Sequence, residues 1–215
     1  MAESTNRLID RLAEHAKPVH RLARPLRVAF LWLLSISAVL WVAAELFGGI
    51  DAFTERLNDT NFAMAWGASV AAGVLATIAA FYLSRPDRPW FWAIVPWPAV
   101  AAWLAFTGYN CFQSWIVSGP NGLSLGESAM CFGFVLTLGG SLGALFVLGL
   151  RRSYPGHFRL FVITVGLATA SIAAAALPLF HRVDATYLDL AAHVAATALV
   201  ILLVREGPAR LFSQY

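Results

Sequence analysis

Six blocks of apolar residues, parted by short breaks of Gly, Pro and charged side chains, constrain this chain more than any motif in it. A helix needs about 20 apolar residues to cross roughly 30 Å of hydrocarbon. Only helices and closed barrels satisfy their backbone hydrogen bonds there, and the blocks lack the period-2 alternation of barrel strands. The blocks run over residues 28–47, 62–83, 90–108, 130–150, 160–180 and 187–204. Composition agrees: 59% of residues are hydrophobic and 13% charged, where a soluble domain carries about a quarter. The expected fold is therefore all-α, a polytopic membrane protein built as a six-transmembrane-helix bundle. Residues 1–27 form a cytoplasmic N-terminal amphipathic segment, 28–204 the transmembrane domain and 205–215 a cytoplasmic tail. The first apolar run is too long for a signal-peptide core and lacks a small-residue cleavage site, so it is read as a retained span. Pro96 and Pro98 predict a kink in the third span.

Orientation follows from the basic residues. All but Arg56 and Arg182 of the fifteen Lys and Arg fall on the side of the termini. Glu45, Asp51, Glu55, Asp59, Glu127, Asp184 and Asp189 fall on the other. Both ends are expected in the cytoplasm of a bacterial cell, with the bundle in the inner membrane. The pairs Gly139/Gly143 and Ala68/Ala72 have the spacing that lets helices approach closely, within one bundle or across a homodimer face. Trp41, Trp66, Trp90, Trp92 and Trp97 read as interfacial anchors or bundle filler rather than a ligand cage.

Two regions are not simply bilayer filler. In the first, Ser4-Thr5-Asn6 can cap a helix running to about Ala16, stopped by Lys17-Pro18. Leu8, Ile9, Leu12, Ala16 and Val19 make an apolar stripe, with Arg7, Asp10, Arg11 and Glu14 on the other face. So short a helix needs a surface for that stripe. The lipid headgroup region, reached by Lys17, Arg21, Arg24 and Arg27, is one candidate. A protein groove is the other.

The second region is the outer side. Cys111 and Cys131 are expected near the two ends of one loop, with His181 closing the fifth span and His193 inside the sixth. Asp189, four residues before His193, could orient its imidazole. A Cys111–Cys131 disulfide is one reading. A redox or metal site for a soft or borderline ion on Cys111, Cys131, His181 and His193 is another. A haem or proton site on the two histidines is a third. CxxC and HxxxH are absent, as are the nucleophile elbow, phosphate loop and dinucleotide fingerprint. No enzyme is proposed, and no direct binding of nucleic acid is expected.

The chain resembles the NrsF-type anti-sigma factors, six-span inner-membrane regulators of extracytoplasmic-function sigma factors. The matching features are Leu8-Ile9, Leu12-Ala13, Pro18-Val19, Pro25-Leu26-Arg27, Gly108-Tyr109-Asn110-Cys111, Ser118-Gly119-Pro120, Cys131, Phe180-His181, Asp184-Ala185-Thr186 and His193. The resemblance implies that the N-terminal helix holds a sigma factor at the membrane. It also implies that a periplasmic stress signal at Cys111 and Cys131 releases it. Leu8, Ile9, Leu12, Arg11 and Val19 are assigned to sigma contact from the stripe and its flank. His181, His193 and Asp189 are assigned as partners of a metal or a thiolate by inference from their placement.

Overall fold

The computed structural model of the chain describes residues 2–14, 23–47, 49–119, 125–150, 155–180 and 186–212. Val19 and His181 lie outside them. The described residues are mostly helical, with no strand among them, and six helices are long and apolar enough to cross a membrane. The elements are α1 (Ala2–Glu14), α2 (Pro25–Leu46), α3 (Ile50–Arg56), α4 (Thr60–Leu83), α5 (Trp97–Ser118), α6 (Leu125–Gly149), α7 (Phe158–Ala176) and α8 (Tyr187–Phe212).

Several boundaries differ from the sequence expectation for identifiable reasons. α1 includes the Ser4-Thr5-Asn6 residues expected to cap it, and the expected stop at Lys17-Pro18 lies outside the described residues. The third span breaks rather than kinks. A 3-10 turn, Trp90–Ile94, is followed by a fresh helix start at Trp97, with Pro98 in its first turn, where a missing N–H costs nothing. α5 then runs through Ser118, since nothing interrupts it before Gly119, whose φ of +57° ends the helix. Cys111 therefore sits inside α5 and Cys131 inside α6, not in the loop between them. α8 likewise continues past Val204 to Phe212.

α7 is the central helix, with 67% of its span window buried, whereas α2 is the outlier at 6%. α2 meets the bundle through buried Ala29 and through Trp32, whose ring stands edge-on to Phe146 at 5.0 Å. Leu31, Leu34, Val39 and Val42 are exposed along it, as a lipid-facing surface requires. On α6, a Cβ at Gly139 would lie 3.5 Å from the Ala170 Cα, and one at Gly143 would lie 2.7 Å from the Val204 side chain. These glycines thus bring α6 against α7 and α8 within one chain, which takes them away from the homodimer face left open by their spacing.

The tightest glycine contact between two spanning helices is at Gly166, where a Cβ would fall 2.8 Å from the Ile201 Cα and 2.5 Å from its Cγ1. Gly166→Ala is expected to force α7 and α8 apart and cost about 1–3 kcal/mol. Gly140→Ala, whose Cβ would meet nothing within 4 Å, should cost nothing. Unfolding of the two variants in mild detergent compares them directly, and equal stability would remove Gly166 as the point of closest packing.

Alternation of the spans gathers the chain ends and the α4–α5 connection at one end of the bundle, here the terminal end. The Arg85 guanidinium there donates to the Ala23 carbonyl, tying the α4–α5 connection to the segment between α1 and α2. The far end collects α3, the starts of α4, α6 and α8, and the C-terminal halves of α5 and α7.

Candidate functional site

The far end is organised by the start of α8. Thr186 precedes the helix and Asp189 sits three residues on, and the two close a reciprocal cap. The Thr186 N–H and hydroxyl donate to Asp189 Oδ2 at 2.9 and 2.7 Å, and the Asp189 N–H returns to Thr186 Oγ1 at 3.3 Å. From α6, buried Ser128 donates its hydroxyl to Asp189 Oδ1 at 2.7 Å. From α5, the Cys111 thiol donates to the Thr186 carbonyl at 3.2 Å. Three helices therefore converge on one capping turn, and the carboxylate at its centre is only 5% exposed.

That geometry revises the expected role of Asp189. Its carboxylate does not orient His193, because side chains on a helix lean toward its N-terminus and this one is taken by Thr186 and Ser128. His193 is held instead through Nδ1, 2.7 Å from the Asp189 backbone carbonyl. The Trp103 ring stands edge-on to the imidazole at 6.2 Å.

Beside this node lies a cavity of about 420 Å³ with walls from α3 through α8. His193, Asp189 and Cys131 line it together with Trp66, Trp103, Phe62, Asn110 and Arg56. The Trp66 indole N–H donates to the Ala175 carbonyl at 3.0 Å, so this residue is a cavity wall and a strut between α4 and α7 at once. Asp59 caps α4 by accepting from the Asn61 N–H at 2.9 Å, and the Arg56 guanidinium lies 4.5 Å from the Phe62 ring centroid. Neither cysteine is in a disulfide, and each is about 1% exposed. They differ in surroundings: Cys131 is part of the cavity wall, whereas Cys111 packs against Thr186. Among the described residues no cluster of three or more His, Cys, Asp and Glu is placed to hold a metal ion.

Trp103, Ser128 and Thr186 were not singled out as site residues by sequence reasoning. The Thr-x-x-Asp pattern ahead of an apolar run was the available signal for the cap. Nothing local marks Ser128, which joins through tertiary packing alone.

At the terminal end α1 is exposed on both faces, its apolar stripe included, with Leu8, Ile9 and Leu12 exposed by 58, 57 and 65%. Arg11 lies in its last turn and is exposed too.

The fold is a bundle of six helices long and apolar enough to cross a membrane, with an exposed amphipathic helix at one end and a chamber at the other. The chain belongs to the NrsF family, negative regulator of sigma F, whose match covers residues 12–211. It is thereby a negative regulator of a sigma factor, and a sigma factor is its partner. The match begins within α1, leaving Leu8, Ile9 and Arg11 ahead of it. No curated protein and no solved structure matches the chain.

Proposed function

We propose that the chain is an inner-membrane anti-sigma factor with cytoplasmic termini that sequesters an extracytoplasmic-function sigma factor through α1. The observation that carries this reading is the exposed apolar stripe of Leu8, Ile9 and Leu12. A helix of 13 residues is marginal alone in water, and a groove on a partner would bury the stripe and stabilise it. Arg11 flanks that contact, and Val19 is assigned to it from the sequence alone. A purely lipid role for α1 is disfavoured by Asp10 and Glu14, which offset Arg7 and Arg11 on the polar face. Detergent-solubilised full-length chain should copurify with its sigma factor, and deletion of residues 1–14 should abolish this. Undiminished copurification after the deletion would sink the assignment of α1.

In this reading release starts at the periplasmic face, with a redox or metal stress signal acting on Cys131 and Cys111. Cys131 is a wall residue of the cavity, so a reagent held there would lie against it. A peroxide would convert its thiol to a sulfenic acid with release of water, and a thiophilic metal ion would replace the thiol proton. Cys111 donates to Thr186, so modifying it removes a bond at the α8 cap. His193 shares the chamber as a partner for a thiolate or metal, and His181 is assigned beside it from the sequence alone. α4 links input to output: its Asn61–Ser69 stretch lines the chamber, and the connection after it carries the Arg85–Ala23 bond. Regulation requires that the signal favour one of two bundle states over the other.

Cys131→Ser is expected to insert and repress normally while losing most of the induction by peroxide or cadmium. Cys111→Ser keeps a hydroxyl donor at Thr186 and should lose less. A sigma-dependent reporter measures both, and full induction in both variants would leave the thiols a packing role.

A further inference from the structure

The chamber carries chemistry that thiol sensing does not use. His193 Nδ1 faces the Asp189 backbone carbonyl at 2.7 Å, and a carbonyl can only accept. The proton of a neutral imidazole therefore sits on Nδ1, and Nε2 presents a lone pair. The charged groups of the chamber are already engaged. Asp189 accepts three hydrogen bonds, Asp59 caps α4 and Arg56 lies over the Phe62 ring. A charged ligand of either sign would meet opposing charges there, the Arg56 guanidinium against the Asp59 and Asp189 carboxylates, and burying it would carry a heavy desolvation cost. The indole rings of Trp66 and Trp103 offer flat apolar surface beside the free imidazole nitrogen. The volume, about 420 Å³, falls in the range of roughly 300–1,000 Å³ typical of small-molecule sites.

We infer that this chamber binds an uncharged small molecule with an aromatic body and one hydroxyl or N–H donor, a phenol-class ligand whose donor is read by Nε2 of His193. The donor follows from the tautomer, the neutrality from the engaged charges, and the aromatic body from the two indoles. Such a molecule partitions into the outer half of a bilayer and reaches the far end of the bundle from there. The inference concerns binding alone. It shares the chamber with the thiol reading and uses none of its chemistry, so each stands or falls separately.

The test uses the full chain in lipid nanodiscs, with no sigma factor and no oxidant present, and three probes of nearly the same size. These are 2-naphthol, its methyl ether 2-methoxynaphthalene, and the anion 2-naphthoate. Empty nanodiscs correct for partition into lipid. Saturable calorimetric binding is expected for 2-naphthol, with the ether and the carboxylate at least about tenfold weaker, the worth of one buried hydrogen bond. His193→Leu should weaken 2-naphthol about tenfold and erase its advantage over the ether. The comparison of probes on unaltered protein keeps the test valid if that variant fails to fold. Equal affinity for 2-naphthol and its ether would overturn the inference. So would tighter binding of 2-naphthoate, absence of saturable binding, or a copurified phospholipid that native mass spectrometry shows 2-naphthol cannot displace.

Discussion

Leu8→Asp, Ile9→Asp and Leu12→Asp together are expected to leave the chain in the membrane and raise sigma-dependent transcription to the level of cells lacking the regulator. The three side chains are more than half exposed in the free chain, so replacing them removes little that holds the bundle together. In a sigma complex each would contribute about 1.5–3 kcal/mol of burial. Losing all three removes on the order of 5 kcal/mol, more than a thousandfold in Kd. The substitutions also set carboxylates against whatever apolar groove receives the helix. Arg11→Ala, which removes one polar contact at the edge of the stripe, should raise transcription by a smaller factor. A reporter measured without inducer, alongside an immunoblot of the membrane fraction, gives both numbers. If the triple variant still represses, the grip on the sigma factor lies outside α1, in the connections at the terminal end.

The spans were legible in the sequence because bilayer thickness imposes a length and a polarity that no other constraint overrides. What escaped was how far each helix continues beyond the hydrocarbon. Residues 109–118 contain Tyr109, Asn110 and Gln113, polar enough to read as loop, yet nothing in them breaks a helix before Gly119. Cys111 was therefore assigned to a loop although it lies inside α5, whereas Cys131 falls in the helix that the fourth apolar block marks. The Asp189 carboxylate was given the wrong hydrogen-bond partner, because a helical wheel places it on the face of His193 while the local cap claims its oxygens first. Trp66 was read as an anchor from its type, whereas its role as a chamber wall depends on α7 crossing near Ala175. Spacing along one helix cannot encode such a crossing. Leu8, Ile9 and Leu12 lie on α1 as their periodicity predicts, while Ala16 and Val19 of the expected stripe fall outside the described residues.

The node around Asp189 is where the chain should be least tolerant of change. Asp189→Ala would leave the Ser128 hydroxyl and the Thr186 N–H and hydroxyl without their acceptor in a site that is almost fully buried. At about 1–3 kcal/mol for a buried group left unpaired, and with part of the loss recovered by local rearrangement, the cost should be on the order of 3 kcal/mol. Asp189→Asn should fall between, since its oxygen can still accept while its amide must face one of the donors. Ser128→Ala removes a single bond to one carboxylate oxygen and should cost about 1–2 kcal/mol. The informative measurement is the double variant. If Ser128 and Asp189 act through their 2.7 Å bond, the combined loss should fall short of the summed single losses by about 1 kcal/mol. Denaturant unfolding of the four proteins in detergent supplies the cycle, and additivity within about 0.3 kcal/mol would mean that the bond contributes nothing to stability. A functional consequence follows from position. This bond joins the first turns of α6 and α8, and Cys131, one turn along α6 from Ser128, faces the same chamber as His193. Loosening it should detach the cysteine from the α8 cap that Cys111 also touches, so Ser128→Ala is expected to fold, to repress, and to respond to oxidant less steeply than the unaltered chain.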